Sequence, residues 1–315
     1  MRFGRPHLAL LVTVVAWASA YPAIRVAVAA FGPAGLTVGR LLVASAALAL
    51  VAPLLGVRLP RRRDLPLIVL CGLLGMSLYQ LLLNAGEVSV DAGTASLLIA
   101  TSPVYSCLFA AGLLGERLTV GRMAGIGVAL GGATMVALTQ GGGLRFDTAA
   151  LMVLGAAVVH GIYPVATRPL LARYSGLEVA SYASWAGTLL VLPLLAVAAS
   201  EPMHPTAGAV AATVYLGVVS SAFGFVAWAY AVARLDMAVA TSALYLISPL
   251  TFVIAYAWLG ERPGLAELAG GAVVIVGVAI TQYYGRVGPR RPPVTAARRG
   301  SRDPTGAPRA PRPAP

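Results

Sequence analysis

The chain reads as long apolar runs separated by short polar breaks. Ten stretches are mainly apolar: residues 8–30, 33–55, 65–86, 91–113, 119–139, 148–169, 177–199, 208–231, 236–258 and 264–284. Each runs to roughly 20 residues, the length an α-helix needs to cross a hydrocarbon core. Glycine, proline or charged residues punctuate them, and the connections are short. No stretch alternates with the period of two that marks a membrane-spanning strand. The pattern predicts an all-α polytopic membrane protein with ten transmembrane helices.

The chain also repeats itself. Ser102–Pro103 is followed by Gly115–Glu116–Arg117, and Ser248–Pro249 by Gly260–Glu261–Arg262. The segment from Ser96 lies over that from Ser242 at a shift of 146, falling to 145 after the proline. Gly125 and Gly132 then fall on Gly270 and Gly277. Weak internal symmetry in an apolar chain is the mark of a transporter built from two related halves. Five spans per half is an odd number, so the second half must enter the membrane from the opposite side. Two inverted five-helix repeats are expected, at 8–140 and 148–284, with an N-terminal segment 1–7 and a tail 285–315.

Composition agrees: 58% of residues are hydrophobic and 11% charged, where soluble domains carry about a quarter charged residues. The net charge of +12 would suggest nucleic acid in a soluble chain. Here all 23 basic residues are arginines, set between the apolar runs or in the tail, and they read as topology instead. With the N-terminus inside, the cytoplasmic side collects Arg2, Arg5, Arg58, Arg61, Arg62, Arg63, Arg117, Arg122, Arg168, Arg173, Arg234 and the tail arginines. The outer loops receive only Arg145 and Arg262. Both termini are therefore expected in the cytoplasm. The tail, rich in Arg, Pro, Ala and Gly, reads as disordered, with anionic lipid headgroups within its reach. Arg2 and Arg5 before Leu8–Trp17 and Ala18–Ser19–Ala20 resemble a cleaved leader. The apolar run continues to Phe31, however, and Tyr21–Pro22 recurs as Tyr163–Pro164, so a retained first span is expected. Cys71 and Cys107 sit in apolar runs as buried thiols.

Candidate chemistry gathers at the matched prolines, Pro22 with Pro164 and Pro103 with Pro249. A proline inside a helix frees the carbonyl four residues earlier, here Ala18, His160, Ile99 and Tyr245. In lipid those carbonyls need a neighbour, water or a substrate. Polar and aromatic side chains lie at similar depth: Trp17, Tyr21, Tyr79, Gln80, Asn84, Thr101, Ser102, Tyr105, His160, Tyr163, Ser220, Ser221, Trp228, Ser242, Tyr245 and Ser248. Aromatic walls with a few hydrogen-bonding groups suit a small amphipathic solute. Arg25 and Arg40 have three readings: holding a substrate carboxylate, pairing with Glu87 and Asp91 as an outer gate, or snorkelling to the interface. His160 is the deep group suited to proton handling, or it is a hydrogen-bonded packing residue. Glu116 and Glu261 precede the fifth and tenth runs and read as carboxylates at the N-termini of those helices. Gly121/Gly125 and Gly127/Gly131 have the spacing of close helix contacts, which makes the fifth and tenth runs packing helices. No catalytic cluster, metal-ligand set or phosphate-binding loop is legible, so neither an enzyme nor a cofactor is expected.

Ten spans, a duplicated five-span unit and a Pro…Gly-Glu-Arg pattern closing the fourth span of each unit resemble the EamA family of the drug/metabolite transporter superfamily. The run Trp17–Arg25 and the Arg40-Leu-Leu opening of span two carry the same resemblance, which covers about residues 8–284. It implies an inner-membrane secondary carrier, often an exporter of amino acids or related metabolites. It also implies a central cavity walled by spans one, three, four, six, eight and nine. His160 departs from the aromatic that the second unit often carries. The expected partners are a small-molecule metabolite and membrane lipid, with no nucleic acid. The alternatives are a lipid-linked sugar translocator and a non-transporting membrane sensor of the same fold.

Overall fold

The computed structural model describes residues 4–116, 118–139, 147–200, 203–235, 240 and 243–287. Arg117, Arg145, Ser242 and the tail from 288 lie outside the described residues. Within them the chain is helical, with no strand. The helices are α1 (Arg5–Ala18), α2 (Ala20–Val51), α3 (Arg62–Gly86), α4 (Ala92–Leu114), α5 (Val120–Thr139) and α6 (Thr148–Leu171). They continue with α7 (Gly176–Val191), α8 (Leu194–Ser200), α9 (Ala207–Val232), α10 (Leu244–Leu259) and α11 (Leu265–Val287).

Seven helical stretches among the described residues are long and apolar enough to cross a membrane. There are eight if α7 and α8, bent by 55°, form one span. That differs from ten separate long helices in two places. The first two apolar runs are joined in Arg5–Val51, 47 residues without a loop. At about 1.5 Å per residue a straight helix of that length would reach roughly 70 Å, over twice a hydrocarbon core. It is not straight: Gly32 has φ 66° and ψ 172° and precedes Pro33, which cannot continue the hydrogen-bond ladder. The ninth run is represented by the short α10, because 236–239 and 241–242 fall outside the described residues.

Three of the four matched prolines stand just after a break. Pro22 lies in the first turn of α2, after the single turn residue Ser19, and Pro103 follows the interruption at Ala100–Thr101. Pro249 follows a 3-10 turn at Leu244–Leu246. Pro164 is different and lies within the uninterrupted α6. One missing donor leaves the rest of a helical ladder intact, so a proline need not break a helix. The third and eighth runs carry a device that composition does not reveal. Each contains a π-helical turn, Leu73–Leu78 in α3 and Leu216–Phe223 in α9. Such widened turns re-aim the side chains that follow, and they are frequent at functional sites.

The repeated segments touch each other running in opposite directions. Ser248 Oγ donates to the Ser96 carbonyl at 3.1 Å, while Phe252 covers Gly93. Higher numbers on α10 thus meet lower numbers on α4. Helices α5 and α11 are also antiparallel. Gly121 faces Tyr284, Gly125 faces Thr281, Gly277 faces Ala129, and Gly132 faces the Val274 amide. A Cβ added at Gly125 would sit 2.5 Å from the Thr281 backbone nitrogen, so the absence of a side chain is what permits this approach. Gly127 and Gly131 have nothing within 4 Å and take no share in it. Gly115 and Gly260 close α4 and α10 in the left-handed conformation, φ 66° and 72°.

Gly125→Leu should lower the thermal stability of the purified protein, by about 1–3 kcal/mol of overpacking. Gly127→Leu should leave the melting temperature in detergent unchanged. Equal losses in both would show that α5 and α11 do not pack through the Gly125 face.

Candidate functional site

Helices α2 and α3 face one another through polar side chains. Thr37 and Arg40 are three apart on α2, and Gln80 and Asn84 are four apart on α3, with Glu87 three residues further on. These spacings put each set on one helix face. Asn84 Nδ2 donates to Thr37 Oγ1 at 2.8 Å and ties the two faces together. Arg40 Nε donates to Ser221 Oγ at 3.3 Å, and Ser221 projects from the π turn of α9. All six side chains are buried: Arg40 is 8% exposed, and Asn84 and Glu87 are 0% exposed. Arg40 therefore does not snorkel to an interface. It shares its electrostatic surroundings with Tyr21, Tyr79 and Glu87.

Other candidates extend this layer. His160 stacks on Tyr79 with ring centroids 4.6 Å apart. Trp17 lies 5.6 Å from Trp228 and 6.1 Å from Phe225, and its Nε1 donates to the Ser220 carbonyl at 3.0 Å. Tyr105 and Tyr245 pack, half-buried, against the core that holds Tyr21. Tyr163 belongs to a separate cluster and lies over Gly75. Trp228 packs with Leu10 near the start of the chain.

Two freed carbonyls are already taken. Thr251 Oγ1 donates to Ala18 O at 3.0 Å, and Ser102 Oγ to Ile99 O at 2.7 Å. Of the partners expected for them, neighbour, water or substrate, these two carbonyls have a neighbour, and the Ser102 hydroxyl serves the helix break. Ser102 lies one turn from the carbonyl it serves, and Thr251 reaches Ala18 from α10 across the fold.

Arg25 belongs to one end of the molecule. Its Nη1 donates to the carbonyls of Glu87 (2.7 Å) and Val88 (3.0 Å), its Nε lies 3.2 Å from Glu261, and its Nη2 lies 3.7 Å from Asp91. A recess of about 350 Å³ opens beside it, lined by Arg25, Val26, Val28, Ala29, Val88, Leu259 and Glu261. Glu261 does not serve the helix that follows it. Its Oε2 accepts from the Ala92 amide at 3.0 Å, at the positive end of α4, because the end of α10 meets the start of α4. Glu116 likewise pairs across the fold, with Arg168 Nη1 at 2.8 Å. Glu116 and the Arg25 group stand at opposite ends of α4. The Arg168 end also holds Arg58–Glu178 (2.9 Å) and Arg173–Asp64 (2.6 Å).

Residues 5–138 and 147–283 each match the EamA-like transporter family. The chain belongs to that family. The EamA-like chain is 54% identical over 299 residues to a "Probable terminal-alkyne amino-acid exporter" of Streptantibioticus cattleyicolor, covering 95% of this chain and 100% of that one. It is 34% identical to the uncharacterized transporter YdfC of Bacillus subtilis, covering 84% and 87%. It is 26% identical to the uncharacterized inner membrane transporter YedA of Escherichia coli K12, covering 87% and 89%. A crystal structure 22% identical superposes with a TM-score of 0.63 over 90% of this chain and 98% of that one, a likeness of fold. This EamA-like transporter is a multi-pass membrane protein.

Burial, with the negative charge of Asp91, pushes the Glu261 carboxyl above the usual carboxylate range, against the Ala92 amide and Arg25. A carboxyl raised on folding adds stability at low pH, and that increment is lost as pH rises through its raised value. Glu261→Gln stays neutral. It should therefore match wild type in melting temperature near about pH 4 and gain on it toward about pH 7. A wild-type advantage that grows with pH would show that the Arg25 pair outweighs burial.

Proposed function

We propose that this transporter is a secondary carrier of the inner membrane that exports amino acids or closely related small metabolites by alternating access. The observation that carries the substrate class is 54% identity, over nearly the full length, to a protein named as a probable amino-acid exporter. The buried polar layer of α2, α3 and α9 is consistent with it, since charged and amide groups held among aromatic rings suit a small polar solute with an apolar side chain.

The architecture proposed is ten spans in two inverted five-helix halves, with both termini cytoplasmic. Support comes from the antiparallel contact of the repeated helices, the break at Gly32–Pro33, the paired π turns and the arginine bias. Arg25 with Glu261 and Arg168 with Glu116 join the repeated glutamates to arginines three and four residues after the repeated Tyr-Pro, and lie at opposite ends of α4. Rocking of the halves would separate the ions at one end while those at the other stay together.

Cells expressing the protein and loaded with a terminal-alkyne amino acid should release it faster than control cells, with the compound moving from cytoplasm to medium. If no amino acid changes compartment, export is the wrong reading. Cysteines placed at Gly115 and Gly260 should react with a membrane-impermeant thiol reagent from opposite faces, the first only after permeabilisation. Labelling from one face would break the inverted arrangement.

A further inference from the structure

The α3 face carries an unusual surplus of acceptors. Gln80 Oε1, Asn84 Oδ1 and both carboxylate oxygens of Glu87 are buried and have no hydrogen-bond partner. The Asn84 amide is oriented by its bond to Thr37, which leaves Oδ1 as the free end. Arg25 reaches only the main chain of Glu87, not its carboxylate. On the opposing face, Arg40 Nη1 is a buried donor without a partner, and no acid lies within ion-pair distance of Arg40 among the described residues.

Burying either group charged and unpaired is unfavourable, and one remedy would be a direct Arg40–Glu87 pair. The fold does not make it, although the two groups share one electrostatic neighbourhood with Tyr21 and Tyr79. The geometry points to a zwitterion as the missing partner, a deepening that rests on the amino-acid reading above. We propose that the α-ammonium of an amino acid binds the Gln80–Asn84–Glu87 face of α3 and its carboxylate binds Arg40. An ammonium has three donors and no acceptor, which suits a strip of acceptors ending in a carboxylate. A carboxylate accepts from guanidinium nitrogens with good geometry. The side chain is then left for the aromatic rings, which set no charge requirement on it. Glu87 and Arg40 in this role select for both ends of an amino acid at once and exclude amines and simple acids.

The test uses full-length protein in detergent and a terminal-alkyne α-amino acid as probe, beside its N-acetyl and carboxamide derivatives. Affinity is read by competition and by ligand-induced thermal shift. Wild type should bind the free amino acid about tenfold or more tightly than either derivative, the scale of one lost charged hydrogen bond. Glu87→Gln should lose the preference over the N-acetyl compound but keep that over the carboxamide; Arg40→Gln should do the reverse. The retained half of the selectivity shows that each variant is folded, and Glu87→Asp should recover some of the loss. If Glu87→Gln binds the amino acid as wild type does and alters only the pH dependence of flux, Glu87 carries a proton and the assignment fails. If wild type binds no amino acid in either assay, the substrate class fails with it.

Discussion

The constraint on which this structure depends is that lipid supplies no hydrogen bonds. Every break in a helix and every polar side chain inside the fold must find its partner in the protein. At its kinks the chain meets this demand with hydroxyls, some from the same turn and one from a distant helix. Ser102 satisfies Ile99, Thr251 satisfies Ala18, and Ser19 donates to Val15 at 2.7 Å. At Ala18 and Ile99 the freed carbonyls are taken by hydroxyls of the protein, so these two breaks shape the path of the helices. Some polar atoms stay unpartnered on several helices, Thr94, His160, Ser181 and Ser220 among them, and the facing surfaces of α2 and α3 hold a group of four such residues, Arg40, Gln80, Asn84 and Glu87.

Close approach of helices makes that concentration possible. Apolar side chains gain little by leaving lipid for a protein interior, so packing depends on contact area and small residues. Glycines on α5 and α11 let two backbones meet, and the same economy at Gly161 brings α6 against the Ser102 carbonyl. The antiparallel contacts hold the two related segments together, and Glu261 and Glu116 reach across them rather than along their own chain. The acids that look like caps for the next helix therefore join the two halves at opposite ends.

Much of the fold was legible in the sequence. Runs of about 20 apolar residues give helices in lipid with little ambiguity, and the Ser-Pro…Gly-Glu-Arg repeat marked the two segments that meet. The proline pairs marked breaks in three cases of four. Pro164 escaped because a proline removes one hydrogen bond, and whether the helix then yields depends on what packs around it. The site was only partly legible. Arg40, Asn84, Tyr21 and Tyr79 stood out as polar or aromatic groups in apolar runs. The stripe formed with Gln80 and Glu87 was available from the i, i+4, i+7 spacing, but Glu87 lies at the end of its run and reads as a loop acid. Ser221 stood among the polar residues of its run, but its aim toward Arg40 was not legible, since it is set by a π turn.

The order of residues alone specifies a helical membrane protein with a duplicated plan, because apolar length and repeated motifs are properties of a single segment. It also marked Arg25, Arg40, Tyr21, Tyr79 and Asn84 as candidates, with the two arginines left between a buried site, an outer gate and the interface. The folded arrangement settled which of them meet. It sent Arg25 to an end with Glu261, buried Arg40 beside Ser221, and left Glu87 sealed with its carboxylate unpaired. The reason is physical: a helix face is written in its own sequence, but the partner of that face is chosen by the crossing of helices, which kinks, π turns and glycine contacts set together.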